Sequence, residues 1–196
     1  MSLSITKLSV GPMDNNAYLL RCTSTGAALL VDAANEPSRL LPLIGPEGIS
    51  SVVTTHRHPD HWQALAEVVS ATGAESLAHP ADAPGIPVVT GTLVDGEDLR
   101  LGDLTLSVIH LVGHTPGSIA LYYGQEGGHL FTGDALFPGG PGRTTNPTDF
   151  NSLMDDLEEK VFGRLPDETV IHPGHGKDST LGTERPSIPE WRARGW

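Results

Sequence analysis

Residues 55–61 read THRHPDH and set His56, His58, Asp60 and His61 within one short stretch. Imidazole and carboxylate are the ligands that zinc, iron and manganese accept, and each must be held at about 2 Å from its ion by a rigid piece of chain. Three further segments offer the same chemistry: His114 in GHTPGS, Asp134 in FTGDALF and His175 in HPGHG. Glycine or proline flanks every one of these residues. A backbone that must turn sharply to aim a short side chain at an ion needs such residues. A polar loop with surface histidines is the plain alternative for THRHPDH, and it requires the downstream partners to be coincidence. Two neighbours compete for the same work. His110 lies four residues before His114 in HLVGH, but Gly113 and Pro116 oppose a helix that would pair them, so His110 reads as a structural residue within a strand. In HPGH both His172 and His175 remain open. His79 and His129 read as solvated loop or strand-end residues.

The elements that must carry these residues are short. Strands are expected at Leu3 to Val10, Ala17 to Cys22, Ala27 to Asp32 and Ser51 to Thr54, with turn signals such as Gly11-Pro12 and Thr25-Gly26 between them. The sheet so formed is antiparallel at its start. A second series is expected at Ser76 to Ala78, Val88 to Val89, Leu104 to His110, Ile119 to Tyr123, Gly128 to Thr132 and Thr169 to His172. Helical periodicity marks Ser38 to Ile44, Asp60 to Thr72 with Gly73 as its stop, and Asp149 to Phe162 with Asp149 as N-cap. Two successions of strands with helices after them imply two sheets packed face to face, helices outside. Each candidate ligand then follows a strand. Tyr122 and Tyr123 alternate across a strand and pack a core, Cys22 is a small core residue, and Trp191 and Trp196 cover an apolar edge.

Composition sets the class. A chain of 196 residues with 38% hydrophobic and 18% charged residues fits one domain, 1–196. A formal charge of −12 argues against nucleic acid and against anionic membrane as partners, because both are bound largely through Lys and Arg. No stretch is long and apolar enough to span a bilayer. A lone cysteine and an N-terminus without an apolar signal core give a cytoplasmic expectation.

Taken together and in this order, THRHPDH, GHTPGS, TGDALF and PGHG resemble the metallo-β-lactamase superfamily, especially its glyoxalase II-like hydrolases, over nearly the whole chain. The resemblance implies an α+β fold, the αββα four-layer sandwich, with two divalent ions at one edge. Zinc is the first expectation, with iron or manganese as alternatives. It implies His56, His58 and His114 on the first metal, Asp60, His61 and His175 on the second, and Asp134 bridging; it is also what selects His175 over His172. Two divalent ions with two aspartates and a hydroxide net one positive charge, so the site suits a developing oxyanion. Zinc lowers the pKa of bound water to about 7. A metal-bridging hydroxide would then hydrolyse a thioester or related carboxylic ester of a small-molecule substrate, with Asp60 orienting it or shuttling its proton and Asp134 holding both ions.

Arg143 in PGGPGRT stands where glyoxalase II-like proteins carry a basic residue after a Gly-Cys-Gly turn, with Pro141 in place of that cysteine. It is a candidate clamp for a substrate carboxylate, against the plain reading of an exposed arginine. Full-length glyoxalase II enzymes add a helical domain that supplies much of the glutathione site, whereas this sequence ends at Trp196, about twenty residues past His175. Other chemistries live on the same scaffold. A persulfide dioxygenase holds one iron through residues matching His56, His114 and Asp134, and the complete second set argues against it. A lactonase or β-lactamase shares the hydrolytic class, and a non-catalytic metal-binding module is the third alternative.

Overall fold

The computed structural model describes residues 2–195. Its first sheet runs in sequence order through β1 (Leu3–Val10), β2 (Asn15–Cys22), β3 (Ala28–Val31), β4 (Ser51–Val53), β5 (Glu75–Ala78) and β6 (Gly91–Thr92). The strands β1, β2 and β3 pair antiparallel, and β3 to β6 pair parallel. The switch follows from what joins them. The hairpins are short, whereas α1 (Pro37–Ile44) and α2 (Leu65–Thr72) are the crossovers that parallel neighbours require. Strands β3 and β4 are covered on both faces and accordingly read as unbroken buried runs, ALLV and SVV.

The second sheet contains β7 (Asp98–Leu101), β8 (Leu104–His110), β9 (Ile119–Tyr123) and β10 (His129–Gly133). A small pair, β11 (Leu136–Phe137) and β12 (Gly140–Pro141), follows β10. After α3 (Pro147–Asp156) come β13 (Val170–Pro173) and β14 (Ser179–Thr180), which complete the order β14-β13-β10-β9-β8-β7. The chain closes with α4 (Leu181–Glu184) and α5 (Ile188–Arg194).

Three apolar clusters define the layers. Leu20, Leu29 and Val31 of the first sheet meet Leu106, Leu121 and Phe131 of the second in a core between the sheets. Leu40, Leu65 and Val68 pack α1 and α2 on the outer face of the first sheet, and Phe150, Leu153 and Trp191 pack α3 and α5 on the outer face of the second. This is the αββα arrangement. Among the described residues no helix is long and apolar enough to cross a membrane.

Several expectations are corrected. The helix expected from Asp60 to Thr72 is a 3-10 turn at Pro59–His61 followed, after a break at Trp62, by α2. The break has a cause: Gln63 N and Ala64 N donate to the carbonyls of Ala34 and Ala33, so this segment bonds to the loop after β3 instead of to its own preceding turn. Trp62 therefore ends the turn instead of starting a helix, and its Nε1 donates to Arg57 O at 2.9 Å. The cap of α3 is Asn146, whose Oδ1 accepts from Asp149 N at 2.9 Å, with Pro147 in the first turn; Asp149 lies inside the helix. Beyond Asp156 the helix widens into a π-helix, Leu157–Phe162. Val88 adopts φ 54° and is 48% exposed, so no strand forms at Val88 to Val89; the strand is β6, three residues later. Tyr123 and Cys22 are buried and Tyr122 half-buried, in line with the alternation. Trp191 is buried against Phe162, and Trp196 lies outside the described residues.

Candidate metal centre

All the candidate ligands arise where strands end on one edge of the sandwich. His56, His58, Asp60 and His61 follow β4, and His114 lies in the loop from β8 to β9. Asp134 follows β10, where the parallel register with β13 shifts between Phe131 and Gly133. Gly133 takes φ 48° there, and a Cβ on it would lie 2.5 Å from Thr55 Oγ1; only glycine lets the chain turn this closely against the His56 loop. His175 follows β13.

These side chains converge in two overlapping halves. In the first, His58 Nδ1 lies 3.0 Å from His114 Nε2, which lies 3.3 Å from His56 Nε2. In the second, His61 Nε2 lies 3.2 Å from His175 Nε2, and Asp60 Oδ2 stands 3.3 Å from His175 Nε2 and 3.5 Å from His61 Nε2. Asp134 lies between them. Its Oδ2 is 3.4 Å from His175 Nε2 and 3.7 Å from His114 Nε2, and its Oδ1 is 3.3 Å from His61 Nε2. Ligand atoms about 2.1 Å from a shared ion in tetrahedral or octahedral array stand roughly 3.0–3.4 Å apart, so the observed spacings are those of coordination spheres.

Hydrogen bonding strengthens that fit. His61 Nδ1 donates to Asp32 Oδ2 at 2.8 Å, His114 Nδ1 to Arg143 O at 2.6 Å and His175 Nδ1 to Met13 O at 2.8 Å. Thr55 Oγ1 donates to Asp32 Oδ2 and so accepts from His56 Nδ1 at 3.1 Å. With the Nδ1 protons committed outward, Nε2 is the nitrogen that His56, His61, His114 and His175 each turn inward, and it offers a lone pair to a cation once it sheds any proton of its own. The buried Oδ1 of Asp134 accepts no hydrogen bond, and Gly174 leaves room that a Cβ would fill 2.3 Å from that oxygen. Facing lone pairs and an unserved carboxylate oxygen are stabilised by cations and by little else. The donor set suits zinc, iron or manganese.

The two halves differ in charge. Burial chiefly, then the charge of His61, holds His56 well below the usual imidazole pKa, and burial likewise lowers His114. In His61 burial opposes protonation, but Asp32 and Asp134 outweigh it and push the pKa up to about 10. The Asp134 carboxylate, 3.4 Å from His175 Nε2, raises His175 as well. Asp134, despite its burial, is held far below the carboxylate range by His175 and His61.

Residues that the sequence reading missed fasten these ligands. Asp32 directly follows β3, takes φ 57°, and accepts from Thr55 N and Thr55 Oγ1 at 2.8 Å besides His61. Asn15 Nδ2 donates to Asp60 Oδ2 at 2.9 Å. Asp82 is fully buried and accepts from Arg57 N at 2.9 Å, Thr115 Oγ1 at 2.5 Å and Gly117 N at 2.9 Å, so it ties the His56–His58 loop to the His114 loop. Nothing local in VDAA or PADAPG announces these contacts; the only signal is a carboxylate among apolar or small residues. Arg143 is exposed, touches the centre through its backbone carbonyl, and lines a neighbouring groove together with Arg194. A cleft of about 360 Å³ lined by Arg57, His58, His114, Thr145 and Asp149 opens beside the first half.

The remaining histidines stand apart. His172 donates toward Asp178 and meets His129 Nδ1 at 3.0 Å, and His79 stacks on His110 with ring centroids 3.8 Å apart. His79 and His129 are thus partnered rings, contrary to the expectation of solvated residues. Stacking buries faces that a loop position alone would leave wet.

Residues 10–175 match the family model described as the metallo-beta-lactamase superfamily. The chain is 35% identical over 163 residues to the hydroxyacylglutathione hydrolase of Polaromonas sp. (strain JS666), which covers 82% of this chain and 62% of that protein. It thus spans about three fifths of the length of such curated relatives. It is 32% identical over 209 residues to hydroxyacylglutathione hydrolase GloC of Haemophilus influenzae, covering 95% of this chain and 97% of that one. Among solved structures, TTHA1623 in a di-iron-bound form superposes with a TM-score of 0.80 at 32% identity, over 95% of this chain and 100% of that chain. With this match and these relatives, the chain belongs to the metallo-β-lactamase superfamily.

Proposed function

We propose that the protein is a dinuclear metal-dependent hydrolase of small thioesters or related carboxylic esters, acting as one catalytic domain over residues 1–196 in the cytoplasm. His56, His58 and His114 would hold the first ion, Asp60, His61 and His175 the second, with Asp134 placed between the two sets. The observation that carries this reading is the position of Asp134, with one carboxylate within 3.7 Å of ligand nitrogens from both halves. That continuity is what a one-iron oxygenase does not need. The single, buried Cys22 accords with a reducing compartment.

Two divalent ions bound there, zinc first and iron or manganese otherwise, supply a water ionised near neutral pH and a Lewis acid for the acyl oxygen. The chain's own residues do the rest. The cleft beside His58 and His114 admits the substrate, and Asp82 and Arg143 O keep the first half rigid. Asp60 is steadied by Asn15 and faces the second half, where its free carboxylate capacity orients the attacking water and takes its proton. The water oxygen joins the acyl carbon, the carbon–sulfur bond breaks, and the proton leaves with the thiol. The test is metal quantification on the purified protein with a panel of thioesters, lactones and a cephalosporin. Two equivalents of metal with thioester turnover are expected. One equivalent of iron with oxygen consumption on a persulfide would overturn the reading.

A further inference from the structure

The edges of the two large sheets are β1, β6, β14 and β7. Three of them are guarded in ways that keep strands from pairing with other chains: β6 and β14 have only two residues each, and β7 carries Asp98 and Arg100. Strand β1, LSITKLSV, is different. It runs for eight residues without a proline or an acidic side chain. Its one lysine, Lys7, is folded onto Asp178 Oδ1 at 2.7 Å and Gly176 O at 2.6 Å.

The ladder shows which backbone groups of β1 face outward. Cys22 N donates to Ala27 O at 2.9 Å, toward β3, whereas Thr23 N donates to Ser2 O at 3.1 Å, toward β1. Hydrogen-bonded positions alternate along an antiparallel pair, so Ser4, Thr6 and Leu8 bond to Arg21, Leu19 and Ala17. Leu3, Ile5, Lys7 and Ser9 then turn their amides and carbonyls away from β2. Side chains take the outermost of these groups: Leu3 N donates to Glu126 Oε2 at 3.2 Å, and Arg39 Nη1 donates to Ser9 O at 3.0 Å and to Glu36 Oε2 at 2.7 Å. Ile5 and Lys7 lie between, and among the described residues no strand pairs with them on that side. The edge is thus an open stretch with an exposed acid at one end and a base at the other.

Two such edges laid antiparallel bring unlike ends together. With Ile5 opposite Lys7 of a second copy, both open residues of both copies are used, and each pair exchanges two hydrogen bonds. Ser9 then falls opposite Leu3, which sets Arg39 beside Glu126 of the second copy at both ends. The two Lys7 side chains stand diagonally instead of face to face, and Thr6 meets Thr6 on the axis.

We infer that β1 is a self-complementary docking edge, pairing antiparallel with β1 of a second copy about a twofold axis at Thr6, so that the first sheets of two molecules join into one. A second copy is the fitting occupant because the order of charge along the edge is complementary to its own reverse. The net charge of −12 opposes self-association over most of the surface, but the strand itself carries no acidic side chain and salt screens the distant charges.

Sedimentation equilibrium of the full metal-loaded chain tests this. The average mass should approach that of two chains as concentration rises to about 100 μM. Ile5→Pro removes an outward amide while sparing the ladder to β2, so it should leave circular dichroism unchanged and the mass at one chain. Glu126→Arg and Arg39→Glu each oppose like charges at both ends and should weaken association at least about tenfold. Equal parts of these two variants should recover it, since every mixed pair has unlike charges at both ends, and this arm decides the matter even if Ile5→Pro fails to fold. A mass of one chain throughout, a dimer undiminished by all three substitutions, or a mixture no tighter than its components would overturn the inference.

Discussion

The two halves of the metal centre are built from similar ligands but fastened in different ways. The first half belongs to loops that are joined to each other: Asp82 accepts from the backbone of Arg57, the hydroxyl of Thr115 and the backbone of Gly117, so the loop of His56 and His58 is tied to the loop of His114. The second half is fastened to the first sheet's own strand ends. Asp32 after β3 holds His61, Met13 O in the hairpin after β1 holds His175, and Asn15 at the start of β2 holds Asp60. Charge separates them too, since burial lowers His56 and His114 while Asp32 and Asp134 raise His61. Similar ligand chemistry can thus rest on independent supports, and each support can be removed by itself.

The largest effect should come from the residue that both halves share. Asp134→Ala removes the one carboxylate, among the described residues, within reach of ligand nitrogens on both sides, and should abolish loading of both ions and lower hydrolysis by at least about a thousandfold. Metal analysis of the variant checks this; two ions bound as before would sink the bridging assignment.

Asp32→Asn should strike the second half. An amide can present its NH2 to His61 Nδ1, which forces the imidazole proton onto Nε2, where the metal must bind. Affinity for one of the two ions should drop about 10- to 100-fold, the usual cost of losing an outer partner of a ligand histidine. Stepwise metal titration reads this as two unequal affinities. Equal loss at both sites would show that Asp32 merely supports the fold.

Asp82→Asn should do the converse more gently, because Asn can keep one acceptor for Gly117 N or Arg57 N. About tenfold weaker binding at the other site is expected. The doubly altered protein sharpens the comparison: separate supports predict that the two losses add in free energy, whereas strong coupling would mean the halves share one support.

The smallest effect lies outside the centre. His172, packed between Phe131, Tyr18 and His129, is lowered from 6.5 to about 4, chiefly by burial, with Asp178 opposing. His129 and Lys7 add to the lowering. Since its folded pKa lies below the unfolded one, the unfolded chain binds the extra proton between pH 6.5 and 4, and stability falls as pH drops through that window. The full swing is about 3 kcal/mol. Chemical denaturation across that range should show a flatter pH dependence in His172→Gln; an unchanged slope would remove His172 from the account.

Much of this architecture can be read directly from residue patterns. Leu3–Val10, Leu104–His110 and Ile119–Tyr123 form strands at the expected bounds, since β-branched and leucine-rich runs between turn residues leave little local choice. Where expectation failed, distant groups had prevailed. The Asp60 to Thr72 segment has helical periodicity, yet Ala33 and Ala34 take two of its amides. Strand β7, DLRL, and the short β12 and β14 carry too few residues for a period to register.

For the site the division is similar. The sequence alone specified which side chains could bind metal, because imidazoles and carboxylates spaced around glycine and proline carry that chemistry wherever they fold. Only the tertiary structure decided which of them meet. Asp32 and Asp82 stand 29 and 33 residues from the side chains they serve, at His61 and Thr115. A hydrogen bond across such separations depends on how sheets and loops stack, and no local period encodes it.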